Sequence, residues 1–429
     1  MKAVLSAAIV LVLSRSTFAQ TPLRLTLEEA ERLAVANNPQ LSAAQFNAEA
    51  SSQIPLEVHA GLEPNLSGAI TAVGADAGSR LAAGGLNNPV VYNRIGTGLI
   101  LNQLVTDFGR SSSLVDSAKL RAQAQGQVTQ TTRAQILLTV ARSYFGVLRA
   151  EAILRVAQET VNARQLVFDQ ISTLSRSNLK STLDVSFANV NLSDAKLLLS
   201  NAQSDVKSAY AELATAIGLP GQYEQGGFTL AAEPPPSSLP DTIDSLMAQA
   251  VQDRPELAGL KLEQSAALKF SQAEKDLSLP TISVAASAGF APASQVQVPG
   301  RYGAVGVNVS IPILNGHLFR ARQTEAELRA KAAAQNVSDA TNRITRDVRV
   351  AYLNATAAFD RIGLTIELLN QARLALDLAQ RRYDLGLGTI VELSQAQLNV
   401  TSAEIAGSSA EYAYQTRRAE LSYQIGALR

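Results

Sequence analysis

Two histidines and no cysteine leave this 429-residue chain little with which to do covalent or metal chemistry. His59 and His317 stand far apart in sequence, so neither paired-His zinc ligation nor a His-based acid–base pair is expected. Without cysteine there is no thiolate nucleophile, no Cys-ligated zinc, no disulfide and no N-terminal lipidation site. Asp339, Asp347 and Asp360 are isolated and read as solvated positions. No nucleophile–base pair stands out, and the glycines form no phosphate loop. What remains is the chemistry of single carboxylates, which hold charge, favour a helix start or attract a cation. Two of them, Asp184 and Glu392, occupy matching places 208 residues apart. Such a set predicts neither an enzyme nor a bound cofactor.

Those two acids belong to a repeat that runs through the chain. Tyr144 is matched by Tyr352, Ala188 by Ala396, Glu212-Leu213 by Glu420-Leu421, and Ile217-Gly218 by Ile425-Gly426. Upstream, Pro39-Gln40-Leu41 pairs with Pro255-Glu256-Leu257, and Pro64 with Pro280. A period this long marks a duplicated half-protein rather than a solenoid unit. The halves are set at 20–219 and 242–429, with a Pro-rich linker at 220–241. Residues 1–19 read as a secretory signal: Lys2, the apolar stretch Val4 to Leu13, then Thr17-Phe18-Ala19. Basic and acidic residues balance at 37 each, which removes the electrostatic case for nucleic acid.

All 15 prolines fall within 22–89 and 220–312. The two runs without proline, 90–219 and 313–429, are what very long helices require. Apolar residues recur there at three-four spacing, as in Leu137, Val140, Tyr144 and Val147, or Ile362, Ile366 and Leu369. Glu151 and Arg373 interrupt these seams. Each run has one break, near 175–181 and 383–389, so each predicts a helical hairpin: 107–218 and 315–427, with long arms at 107–172 and 315–380. A long arm extends on the order of 100 Å.

The proline-rich zones hold the strands, at about 64–74, 92–104, 280–290 and 301–312. Their length suits a tilted strand crossing a bilayer, and their alternation suits one lipid face and one water face. Tyr92, Phe290 and Tyr302 lie near strand ends, where an interfacial aromatic belt is expected. Pro64 to Pro280 is 216 residues, but Gly109 to Gly316 is 207, so the first strand hairpin carries nine extra residues, in the loop 74–90 against 291–300. Four strands cannot close a barrel, and an open edge in lipid leaves backbone groups unpaired. Two copies make eight strands around a packed, narrow interior, and three make twelve strands and a ring of twelve helical columns.

The ordered features resemble the TolC-like outer-membrane efflux protein family over essentially the whole mature chain. The residues that carry it are Leu27-Glu28-Glu29-Ala30, Asn38-Pro39-Gln40-Leu41, Asp107-Phe108-Gly109-Arg110 and Ala141-Arg142-Ser143-Tyr144-Phe145 in the first half. In the second they are Arg254-Pro255-Glu256-Leu257, Ile313-Leu314-Asn315-Gly316, Val350-Ala351-Tyr352 and Arg382-Tyr383 with Gly386 and Gly388. No single motif is specific; their doubled order is. The resemblance implies a mainly α fold: a homotrimer with a twelve-stranded transmembrane β-barrel and a long α-helical barrel. It implies a passive exit duct in the bacterial outer membrane with a periplasmic extension, served by a periplasmic adaptor protein and an inner-membrane transporter. It places an equatorial belt at 220–241. The competing reading is a secreted coiled-coil structural or adhesive protein without a pore.

The resemblance also implies a gate where the hairpin turns meet. The inner acidic position falls on Glu392 and the second on Gln395. Asp184 is the partner position in the first half, expected to bond Tyr383. The family's arginine at the next bridging position is Gly388 here, so that link is expected to be lost. The turns Leu179-Lys180-Ser181 and Gly386-Leu387-Gly388-Thr389 resemble the tips against which adaptors dock.

Overall fold

The computed structural model describes residues 23–74, 76, 94–220, 228–231, 237–239, 242–291 and 300–428. The signal segment, Tyr92, Pro234, Pro235, Pro236 and Pro240 of the linker and most of both strand-hairpin loops lie outside the described residues. The elements run β1 (Leu23–Leu25), α1 (Leu27–Asn37), α2 (Pro39–His59), β2 (Asn65–Val73), β3 (Arg94–Thr106), α3 (Arg110–Arg176) and α4 (Thr182–Ala216). After the linker come β4 (Phe228–Leu230), α5 (Ile243–Asp253), α6 (Pro255–Lys275), β5 (Thr281–Phe290), β6 (Arg301–Ser310), α7 (Leu318–Asp384) and α8 (Ile390–Gln424). No helix among the described residues is long and apolar enough to cross a membrane.

The copies match element by element. Each long arm has 67 residues and each short arm 35. The helix starts Arg110 and Leu318 are 208 apart, and so are Thr182 and Ile390. Before the strands the offset is instead 216, as between Pro39 and Pro255 at the starts of α2 and α6. This corrects the pairing of Gly109 with Gly316. The turn before each long helix places two residues at positive φ, Phe108-Gly109 in one copy and Gly316-His317 in the other. The first copy is therefore longer by eight residues, not nine.

The proline-rich zones hold more than strands. They also carry α1, α2, α5 and α6. These helices form despite proline: Pro39 and Pro255 stand at the first turn, where a missing N–H removes no helical hydrogen bond, and α2 continues through Pro55 near its end. Asn38 caps α2 by accepting from Gln40 N at 2.9 Å. Thr26 and Glu29 form a reciprocal box at the start of α1, at 2.9 and 3.2 Å.

Residues group into two compact units. The first joins the chain up to Asn37 with Thr139–Ser237 and Arg361–Thr416. Its core includes Val140, Tyr144, Val147, Leu213 and Ile217, all buried. Tyr144 Oη lies 2.9 Å from the Ala231 carbonyl and 3.2 Å from that of Leu25, tying the helix to the small parallel sheet of β1 and β4. Tyr414 donates to the Ser237 carbonyl. The two residues that broke the apolar seams have partners: Tyr210 donates to Glu151 at 2.6 Å, and Arg373 pairs with Glu404 at 3.0 Å.

The second unit comprises Asn38–Leu138, Ser238–Asp360 and Arg417–Arg429. One cluster joins Leu246 and Ala250 of α5, Leu257 of α6, Ile344 and Val348 of α7, and Leu421 of α8. The four-stranded antiparallel sheet has the order β2-β3-β5-β6, with β2 and β6 at its edges. Each half supplies one hairpin, and β3 with β5 joins them. The register sorts residues onto two faces. One carries Leu66, Ile70, Leu99, Leu101, Val284, Val305, Val307 and Val309. The other carries Asn65, Ser67, Asn102, Ser283, Ser287, Asn308 and Ser310 among small residues, with fewer large apolar ones. Phe290 lies on the apolar face and Tyr302 on the opposite one, so the two do not share the single face that the expected belt needs.

Candidate functional site

The two helical hairpins meet at their turns within the first unit. Both turns are built alike. Asn178 (φ 55°) and Gly386 (φ 74°) occupy equivalent left-handed positions. Leu179 N donates to Leu174 O at 2.9 Å and Leu387 N to Arg382 O at 2.8 Å, closing each long helix with the same six-residue loop. The next helix then opens on a hydroxyl cap. Leu183 N donates to Ser181 Oγ at 3.0 Å, and Glu392 N donates to Thr389 Oγ1 at 3.2 Å. The tips that differ most in sequence thus share one backbone design.

Beneath the turns all four helices contribute to one cluster: Ile171 of α3, Ala188 of α4, Tyr383 of α7, and Ile390 and Leu393 of α8. Tyr383 is its centrepiece. Its hydroxyl is buried with no hydrogen-bond partner. Burial, with Asp184 and Asp384 nearby, pushes its pKa up to about 12. Lys180 covers the ring, with Nζ 3.7 Å from its centroid and 3.4 Å from the Tyr383 carbonyl oxygen.

The expected Tyr383–Asp184 hydrogen bond is not formed. Asp184 is the third residue of its helix, and its carboxylate accepts from Ser181 N at 3.3 Å, completing a capping box. Its oxygen is committed to the backbone of its own turn. Glu392 holds the equivalent place but turns toward Arg382 instead, at 3.8 Å. Both groups are about half exposed, so the pair contributes at most about 1 kcal/mol. The arginine expected to be missing at Gly388 is missing, and the Arg382–Glu392 pair lies within the second hairpin alone. Arg382 also donates to Leu387 O at 3.1 Å. Gly388 leaves room for this: a Cβ there would lie 3.1 Å from Glu392 Oε2 and 3.2 Å from Arg382 Cβ.

Gln395 is exposed and donates to Asn399 at 3.0 Å, away from Glu392. Sequence reasoning missed Lys180 and Arg382 as partners within the tip. Lys180 had a signal, since it stands 208 residues before Gly388 and carries the charge that Gly388 lacks. Farther down the first unit, buried Arg164 donates to Gln397, with burial lowering its pKa.

A family model described as outer membrane efflux protein matches residues 32–219 and 246–427. The chain belongs to that family. Curated relatives of this efflux-family chain include the outer membrane protein TolC of Escherichia coli K12, 23% identical over 98% of this chain and 86% of that protein. TolC of Salmonella enteritidis is 24% identical over 94% and 83%. Among solved structures, a membrane protein from Pseudomonas aeruginosa superposes with a TM-score of 0.81 at 21% identity, covering 93% of each chain. The Vibrio cholerae outer membrane protein VceC gives 0.79 at 18%, covering 93% and 96%.

The efflux-family chain is an outer-membrane exit duct for tripartite efflux. Its fold is that of the family's channels, mainly helical with a small β part. The reading as a stalk without a pore is set aside. The family is one of channels rather than of enzymes.

Proposed function

We propose that three copies of this chain close one twelve-stranded barrel and that the hairpin tips form its periplasmic mouth. Each half, 20–219 and 242–429, is one copy of the repeat, joined by the belt segment 220–241. The observation that carries this is the sheet: β2 and β6 have no partner strand among the described residues, and its apolar face is exposed, with Val305 at 79% and Ile70 at 80%. Edges and an apolar face of this kind call for further strands and for lipid. The duct acts by passage alone, and the choice of cargo rests with an inner-membrane transporter.

The tips support docking of a periplasmic adaptor. Leu179 and Leu387 are 69% and 68% exposed, and Lys180, Gly386, Gly388 and Thr389 surround them. At the mouth, three Glu392 carboxylates repel one another, and a polyvalent cation relieves that repulsion. Gln395 adds no charge, so block by cations is weaker than in a mouth with two acidic rings. Protein extracted from outer membranes by detergent is expected to run as a trimer and to conduct ions across a planar bilayer. A water-soluble monomer without conductance overturns the channel reading. Block by a polyvalent cation is expected to weaken in Glu392→Gln; unchanged block removes Glu392 from the gate.

A further inference from the structure

Tyr302 is the only aromatic residue among the described residues on the small and polar face of the sheet. It stands in register with Gly289 of β5, which stands in register with Gly98 of β3. The side chain lies across both glycines. A Cβ on Gly98 would overlap the Tyr302 hydroxyl and come within 3.2 Å of its Cζ; a Cβ on Gly289 would overlap the same hydroxyl. Glycine on both strands leaves the space that the ring occupies, and at Gly289 a Cβ would also overlap the Thr97 carbonyl oxygen. Tyr302 stays 45% exposed. At the same end of the sheet, Phe290 covers Gly300 from the apolar side, with Cε2 3.1 Å from where a Cβ would be.

In a barrel whose apolar face meets lipid, the face with Tyr302 meets the lumen. We infer that Tyr302, seated in the Gly98–Gly289 trough, is a lumenal ledge near the outer exit that stacks against planar aromatic cargo. This rests on the barrel reading above. Stacked rings gain about 0.5–1.5 kcal/mol beyond their burial, which makes each ledge a weak site that slows cargo without trapping it. The glycines hold the ring against the wall, so the site exists without narrowing the bore.

The chain contains no tryptophan, so Tyr302→Trp introduces a single reporter. In proteoliposomes, aqueous iodide is expected to quench its emission and brominated lipid to leave it unchanged, with Phe290→Trp behaving the opposite way. Adding Gly98→Ala to Tyr302→Trp lifts the ring off the wall and increases iodide quenching. Ethidium is the cargo probe. Its block of single-channel current is expected to weaken about two- to tenfold in Tyr302→Ala and to persist in Tyr302→Phe. Quenching of Tyr302→Trp by brominated lipid overturns the lumenal placement. Equal ethidium block in the parent and in Tyr302→Ala overturns the cargo contact. A parent chain that conducts no current defeats the channel reading instead, so the two failures are told apart.

Discussion

Tyr383 joins a buried hydroxyl without a partner to a ring that fills the tip cluster. The two parts have opposite energetic signs. Tyr383→Phe removes the unmet polar group and is expected to leave the stability of the detergent-extracted protein unchanged or raise it by up to about 1 kcal/mol, read as an unchanged or higher melting temperature. Tyr383→Ala empties the cluster and should lower stability by about 3 kcal/mol. The phenol also sets a pH window. Its folded pKa, up to about 12, lies above the ordinary 10.0, so the unfolded chain loses its proton first. This contribution is complete below pH about 10 and is lost as pH rises toward about 12. Across that range Tyr383→Phe is expected to lose less stability than the parent, the loss that remains belonging to other buried phenols such as Tyr210 and Tyr412. Arg382 acts on the other side of the tip by offsetting the charge of Glu392. Arg382→Ala is therefore expected to strengthen block by polyvalent cations, read as a lower blocking concentration in single-channel records.

The hairpin turns are defined by backbone shape more than by side-chain identity. Gly386 at φ 74° adopts a conformation that costs an ordinary L-residue about 1–2 kcal/mol, whereas the equivalent Asn178 is a residue that tolerates it. Gly386→Ala is expected to lower tip stability by that amount, and Asn178→Gly by much less, measured as protease sensitivity of the turns. The long helices were legible because proline is absent from them and because their breaks carry turn residues such as Asn178 and Gly386. The strands β2, β3, β5 and β6 were legible from their alternation, whereas the three-residue strands β1 and β4 are too short to show one. The helices α1, α2, α5 and α6 were not, since a proline count does not separate a first-turn proline such as Pro39 from a helix breaker. At the candidate site Glu392, Asp184 and Tyr383 were named from sequence; Asp184 lies near Tyr383 without bonding it, and Glu392 faces Arg382. Their partners were not, because sequence spacing does not say whether an acid such as Asp184 turns back to cap its own helix. The face occupied by Tyr302 was likewise hidden, since strand alternation alone does not say where register places a terminal residue.

At the scale of the whole molecule, the sheet decides where the protein resides. Its faces have unlike chemistry, so a charge should be tolerated on only one of them. Val305→Arg, on the apolar face, is expected to cost about 2–4 kcal/mol and to lower the yield of protein in outer membranes. Ala304→Arg, one residue away on the opposite face, should assemble at near the parent yield. The matched helices carry a different consequence. With arms of 67 and 35 residues in both halves, the two hairpins act as twin rulers that end on the same mark. Removing seven residues from the two arms of one hairpin alone withdraws its turn by about 10 Å, which parts Lys180 from Tyr383. The same cut made in all four helices keeps the tip intact and shortens the duct. The span this protein bridges can therefore change only by paired edits to both halves, whereas the loops joining its strands are free to vary one at a time.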